Sequence, residues 1–85
     1  MLVIWQNPEL DLSNRREIIK IIVRILRRRR PDAPKEWIVK IPDMARRFED
    51  KMYRMAKSRE EYLNRATIGK RMRDIALRLL SDPTN

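Results

Sequence analysis

The chain has 85 residues, the size of one small domain, and 42% of them are hydrophobic, which is enough for a core. It contains no Cys and no His, which excludes disulfides, the usual zinc sites and histidine-based acid–base catalysis. The formal net charge of +9 suits nucleic acid, an anionic membrane surface or an acidic protein segment as partner. No apolar stretch approaches the roughly 20 residues that a membrane-spanning helix needs.

The first eleven residues combine a short apolar run and Trp5 with a polar stretch in which Pro8 predicts a turn. Trp5 is interpreted as part of the core or of a lid over it. A capping box of Asn14 and Glu17, with Ser13 as the alternative N-cap, predicts where the first helix begins. That helix is expected over residues 14–30 and ends before a proline.

The predicted first helix carries more apolar surface than one packing face needs. At 100° per residue its aliphatic side chains cover an arc of roughly 200°, about twice the width of an ordinary core-facing stripe. The helix is either buried between two others, or one flank of it lines a hydrophobic groove for a partner. The residues of the arc are Ile18, Ile19, Ile21, Ile22, Val23, Ile25 and Leu26.

Four consecutive arginines, Arg27–Arg30, close this helix. Cations at a helix C-terminus complement the helix dipole, so a solvated helix end is one interpretation. A contact with phosphate or with an acidic peptide is the other. In the connection that follows, one short helical turn is expected from Pro34, and Trp37 is expected to lie on the core. Pro42 is expected to interrupt any continuous helix and to begin the next one.

Two further helices are predicted, over residues 42–57 and 59–80. Ser58 and Glu61 fit a capping box, which places the start of the third helix at Arg59. Gly69 lies inside the third helix at a cost of about 1 kcal/mol relative to Ala, and indicates a close helix contact, a kink or a change of register. The side chains expected in the core are Ile22, Phe48, Met52, Tyr62 and Ile75.

No group of residues fits a catalytic site. Glu49 and Asp50, like Glu60 and Glu61, are neighbours on helices, so their carboxylates point in different directions and are interpreted as surface charges and caps. The serines have no histidine to activate them. We therefore expect no enzymatic activity and no cofactor.

The segment from Ala45 to Leu63 resembles the KIX domain of transcriptional coactivators, of both the histone-acetyltransferase and the Mediator-tail type. Residues 16–26 are similar to the first helix of that family, and Trp5 stands near a family tryptophan, so the resemblance covers about residues 5–80. It is carried by a small residue, a basic pair, acidic and aromatic positions and the Ser-Arg-Glu-Glu-Tyr run: Ala45, Arg46, Arg47, Phe48, Glu49, Asp50, Met52, Tyr53, Ala56 and Ser58–Leu63.

The resemblance implies an all-α, three-helix bundle with a short N-terminal lid and a short helical turn between helices 1 and 2. It implies a nuclear, monomeric module without enzymatic activity that binds amphipathic, acidic activation segments of transcription factors. The family's tyrosine and lysine that meet a phosphoserine are not evident, and Arg71 or Arg73 falls nearest to that place.

Two binding grooves are implied, and Ile18 is expected to be the outermost residue of the first. The first groove would consist of Ile18, Ile22, Leu63 and Ala66. The second would consist of Leu26, Ile41, Phe48, Ile75 and Leu79. A basic rim would steer the acidic partner, and it comprises Lys20, Arg24, Arg27, Lys70, Arg71 and Arg73.

Two other interpretations stay open. A small basic helical domain that binds nucleic acid is motivated by the net charge and by Arg27–Arg30, although the basic residues are spread over all three predicted helices. The chain also has no recognition helix with base-reading polar residues and few aromatics for stacking. The second interpretation is a redesigned or isolated scaffold with a KIX-like pattern and no natural ligand.

Overall fold

The computed structural model describes residues 4–81, with side chains described up to residue 78. Its elements are helix α1 over Pro8–Arg29, α2 over Lys35–Met55, α3 over Arg59–Leu63, a 3-10 turn over Arg65–Thr67 and α4 over Ile68–Ser81. The described residues contain no strand, so the predicted all-α bundle is confirmed. Within this part of the chain, no helix combines the length and apolar character that crossing a membrane requires.

Helix α1 begins six residues earlier than predicted. The Asn7 side chain accepts a hydrogen bond from the Leu10 N–H at 3.2 Å, and the Asn7 N–H donates to Asp11 Oδ2 at 2.9 Å. Pro8 occupies the first helical position, where its missing N–H costs nothing and its fixed φ suits the helix. The predictions of a turn at Pro8 and of a cap at Asn14 or Ser13 are therefore wrong.

Helix α2 runs without interruption through Pro42, so the predicted break at that residue is also wrong. Proline removes the hydrogen bond to the carbonyl four residues earlier, that of Ile38. Both Pro42 and Ile38 are exposed, so that carbonyl lies on the solvent side, where water can replace the missing donor. Burial of Ile41 and Ala45 within the same helix then favours one continuous helix.

The predicted third helix is divided in two at Asn64. The backbone of Asn64 is extended, with φ −70° and ψ 99°, and its side chain accepts a hydrogen bond from the Ala66 N–H at 3.1 Å. Asparagine competes with the helix in this way because its short amide bonds to nearby backbone groups. Gly69, where a kink was one expectation, lies inside α4 instead.

The predicted cap of the third helix is confirmed. Ser58 Oγ accepts a hydrogen bond from the Glu61 N–H at 3.1 Å, and Glu61 Oε2 accepts one from the Lys57 N–H at 3.3 Å. We expect Ser58→Ala to lower the free energy of unfolding by about 1 kcal/mol, because it removes a side-chain acceptor at the N-cap. Urea denaturation can measure this, and Ser58→Thr, which keeps the hydroxyl, should be destabilised much less. Equal stability of Ser58→Ala and the parent chain would contradict the prediction.

One face of each long helix contributes to a single core. Of the five side chains predicted to be buried, four are at most 4% exposed: Ile22, Met52, Tyr62 and Ile75. The fifth, Phe48, is only partly buried and packs on the edge of the core. Among residues 4–78 the buried hydrophobic residues are Ile18, Ile22, Leu26, Ile41, Ala45, Met52, Tyr53, Ala56, Tyr62, Ile68, Met72 and Ile75.

Candidate functional site

The wide apolar arc of α1 divides into a buried centre and two partly exposed flanks. Ile18, Ile22 and Leu26 face the core. At 100° per residue, Ile19 and Val23 fall on one flank of α1, and Ile21 and Ile25 fall on the other; all four are partly buried. Helix α1 is therefore a core helix whose flanks keep some apolar surface in contact with solvent, and the interpretation that one flank lines a groove for a partner stays a prediction.

The first predicted groove has little accessible surface on α1. Ile18 is 1% exposed and Ile22 is fully buried, so the expectation that Ile18 lies outermost is wrong. Leu63 is partly buried and Ala66 is exposed. The apolar residues of α1 that stay partly accessible are Ile19, Ile21 and Val23, next to the predicted ones in the chain. Consecutive residues are about 100° apart around a helix, so these side chains lie toward the edges of the arc.

The second predicted groove contributes two residues to a cleft between α2 and α4. The cleft has a volume of about 390 Å³, and Phe48 and Ile75 belong to its lining. Leu26 and Ile41 are buried beneath the surface, and the side chain of Leu79 lies outside the described residues. We call this feature the α2–α4 cleft; its lining consists of Met44, Arg47, Phe48, Asp50, Lys51 and Ile75.

Sequence reasoning missed Met44 as a residue of this cleft. Met44, Phe48 and Lys51 are spaced at i, i+4 and i+7 and therefore share one face of α2. Met44 and Phe48 are partly buried and pack on the core cluster, while Lys51 is exposed. The i, i+4 spacing of Met44 and Phe48 was visible in the sequence, but an apolar stripe by itself does not reveal which of its members reach solvent.

The charges around the cleft leave its edge positive. The carboxylate of Asp50 lies 3.0 Å from Arg54 and 3.6 Å from Arg15, so its charge is compensated. Arg47 makes one exposed ion pair with Asp43 at 3.6 Å, a kind of pair that contributes little and leaves the guanidinium accessible. Lys51 forms no ion pair within the part of the chain that the structure describes.

The predicted basic rim is divided between solvent and the interior. Lys20, Arg24, Arg27, Lys70 and Arg73 are exposed. Arg71 is folded back, because its guanidinium donates to the carbonyls of Tyr62 and Asn64 at 3.1 and 2.9 Å, and burial lowers its pKa. Arg71 therefore closes the break between α3 and α4 and does not belong to an accessible rim.

Two buried carboxylates connect α2 to α1 and α3. Glu49 Oε2 accepts hydrogen bonds from Arg15 Nε and from the Tyr62 hydroxyl, both at 2.8 Å. Burial, together with the hydrogen bond to Glu49, raises the pKa of Tyr62 well above its ordinary value. Glu49 is 2% exposed, so its interpretation as surface charge is wrong.

The second carboxylate, that of Asp11, connects the start of α1 to α2 and α3. It accepts hydrogen bonds from the Tyr53 hydroxyl at 2.6 Å and from Arg59 Nε at 2.8 Å. Burial alone would raise the pKa of Asp11, but the hydrogen bonds from Arg59, Tyr53 and the Asn7 N–H lower it to about 2. Trp5 completes this arrangement by donating to the Ala56 carbonyl at 2.7 Å, which confirms its interpretation as core or lid.

A family model described as "KIX domain" matches residues 5–81. No curated protein and no solved structure matches the chain. The matched range includes the Trp5 contact, both buried carboxylates, the Ser58 cap and every residue of the α2–α4 cleft. The chain belongs to the KIX domain family, whose members are protein-interaction modules of coactivators.

Proposed function

We propose that this chain is the activator-binding module of a nuclear transcriptional coactivator, and that the α2–α4 cleft holds an amphipathic, acidic helix. The observation that supports this is an apolar floor beside two solvent-accessible cations. Met44, Phe48 and Ile75 form the floor, and Arg47 and Lys51 stand at its edge. A coactivator of the Mediator-tail or the histone-acetyltransferase type would use such a module in the same way.

The dimensions and chemistry of the cleft suit one face of a helix. Its volume of about 390 Å³ is in the range of pockets that take up a small ligand or a few side chains. Amphipathic helices dock through bulky apolar residues at i, i+3 or i+4 and i+7. Acidic residues flanking those anchors would lie near Arg47 and Lys51 and would raise the rate of association.

The surface between α1 and α3 supports the proposal less well, since Ile18 and Ile22 have almost no exposed surface. At the α2–α4 cleft, each buried anchor contributes about 1.5–3 kcal/mol. Ordering a disordered segment costs part of this gain. We therefore expect dissociation constants in the micromolar range.

The test is a titration of ¹⁵N-labelled protein with an acidic, amphipathic activation peptide of about 20 residues. Amide shifts should cluster on residues 44–51 and around Ile75. Met44→Ala should weaken binding about tenfold, because it removes part of the apolar floor. Leu77→Ala is the matched control: Leu77 is 58% exposed and lies about 160° around α4 from Ile75, so this variant should change affinity less than twofold.

A charge variant distinguishes the electrostatic contribution to the association rate from the contribution of apolar contacts to affinity. Lys51→Gln should slow association and lessen its dependence on salt, with a smaller effect on dissociation. A scrambled peptide with the same net charge should bind much more weakly than the amphipathic one. The proposal is wrong if the shifts cluster away from the cleft, or if Leu77→Ala weakens binding as much as Met44→Ala does.

A further inference from the structure

The end of α1 and the start of α2 hold most of the excess positive charge. Between residues 24 and 40 lie seven basic and two acidic residues, so one fifth of the chain carries +5 of the total +9. The α2–α4 cleft uses none of these residues. This concentration therefore needs an explanation separate from the proposed function.

The arginines at this end are exposed and are not neutralised by carboxylates. Arg27, Arg28, Arg29 and Arg30 are all exposed, and none forms an ion pair within residues 4–78. A helix C-terminus contributes only about half a negative charge. Four adjacent guanidinium groups exceed that severalfold, so like-charge repulsion persists in the free protein.

Two of these arginines connect the end of α1 to the other helices. The guanidinium carbon of Arg30 lies 4.9 Å from the centre of the Trp37 ring on α2. Arg29 Nη2 lies 3.9 Å from the place where a Cβ on Gly69 would stand, which brings α1 onto the first turn of α4. Lys70 follows Gly69 in the chain. Arg73 lies four residues after Gly69 and therefore on the same face of α4 as that glycine. We call Arg27–Arg30, Lys70 and Arg73 the arginine patch.

The arrangement favours a partner with closely spaced phosphate groups over a lipid surface. Helices that lie on a membrane surface bind most strongly where exposed apolar side chains insert beside the cations. The most exposed large apolar residue nearby, Val39, is 71% exposed, but it lies two positions from Trp37 on α2. It therefore points about 160° away from the Arg30–Trp37 contact. The patch itself consists of guanidinium and ammonium groups, which suit closely spaced phosphates.

We propose that the arginine patch binds the phosphate backbone of nucleic acid. Duplex DNA presents one negative charge per roughly 1.7 Å of its axis and releases condensed counterions when arginines replace them. Contacts to phosphate groups carry no sequence information, so no preference for a base sequence is expected. The domain would thereby hold nucleic acid at one end of the bundle, while the α2–α4 cleft stays free.

The test measures the anisotropy of a labelled 20-base-pair DNA duplex, and of one of its single strands, at 50, 100 and 200 mM salt. The patch variant is Arg27→Gln with Arg28→Gln, which removes two positive charges. The control is Arg16→Gln with Arg46→Gln, which removes two exposed charges elsewhere and so gives the same net charge. Circular dichroism and the peptide titration described above should show both variants to be folded.

We expect the patch variant to bind DNA at least tenfold more weakly than the control variant at 50 mM salt. The slope of log affinity against log salt should become shallower by about 2 for the patch variant, about one for each phosphate that an arginine no longer neutralises. Binding of the duplex or of the single strand with this dependence on Arg27 and Arg28 would agree with the proposal.

Three results would overturn the proposal. Equal losses of affinity in the two variants would show that net charge alone attracts DNA. Binding to vesicles containing phosphatidylserine without binding to DNA would assign the patch to a lipid surface. Equal competition by polyglutamate, charge for charge, would show that the patch prefers no phosphate and would assign it to acidic protein segments.

Discussion

Glu49→Ala is expected to lower the free energy of unfolding by about 3–5 kcal/mol. The carboxylate accepts two hydrogen bonds from Arg15, at 2.8 and 2.9 Å, and one from the Tyr62 hydroxyl at 2.8 Å. Removing it leaves a buried hydroxyl without an acceptor, and leaves the partly buried guanidinium of Arg15 with only its longer ion pair to Asp50, at 3.6 Å. Small domains are stable by about 5–15 kcal/mol, so this loss is a large share of the total and should clearly lower the melting temperature.

Asp50→Ala is the matched comparison for Glu49→Ala. Asp50 follows Glu49 in the same helix and also forms ion pairs, but its side chain is 47% exposed. An exposed pair contributes about 0–1 kcal/mol, so this variant should melt close to the parent chain. Thermal and urea denaturation of both variants separate the two cases. Equal melting temperatures for Glu49→Ala and Asp50→Ala would show that the buried network does not stabilise the fold.

Ile18→Ala is expected to destabilise the domain by about 2–5 kcal/mol, the usual cost of truncating a fully buried aliphatic side chain. Ile18 is 1% exposed, so the shortened side chain leaves a cavity in the centre of the core. This reverses the expectation from sequence, in which Ile18 was a groove residue whose loss would weaken partner binding and leave the fold intact.

Ile21→Ala provides the comparison on the same helix. Ile21 is only partly buried, and its truncation should destabilise the fold clearly less than that of Ile18, because solvent already reaches its side chain. Urea titrations that give the same m-value for both variants allow the midpoints to be compared directly. An unchanged midpoint for Ile18→Ala would place that residue outside the core.

Local signals in the sequence determined the class of the fold and several of its details. The arc of aliphatic residues in α1 predicted a helix with more apolar surface than one packing face needs, and the structure leaves Ile21 and Ile25 partly buried on one flank. The Ser58 and Glu61 pair located the start of α3, because a capping box depends on residues within one helical turn. The run from Ala45 to Leu63 was specific enough to indicate the family that the match over residues 5–81 shows.

The tertiary structure decided the roles of residues whose partners are distant in the chain. Glu49 has the same local context as Asp50, yet it is buried because Arg15 and Tyr62, 34 and 13 residues away, supply its donors. Arg71 closes the break between α3 and α4 by donating a hydrogen bond to the Asn64 carbonyl. The prediction of one continuous third helix contained no such break. Pro42 was tolerated because the packing of α2 as a whole outweighs one missing hydrogen bond.

The accessible surface was the quantity that the sequence alone did not determine. Periodicity places Ile18, Ile22, Met44 and Phe48 on apolar faces, but exposure depends on which neighbouring helix covers each face and how closely. In this fold the packing buries Ile18 and Ile22 and leaves Met44 and Phe48 in the lining of the α2–α4 cleft. The hydrophobic effect is not directional, so an apolar pattern does not specify which residues a neighbouring helix will cover. The helix packing alone decided which apolar residues remain available to a partner.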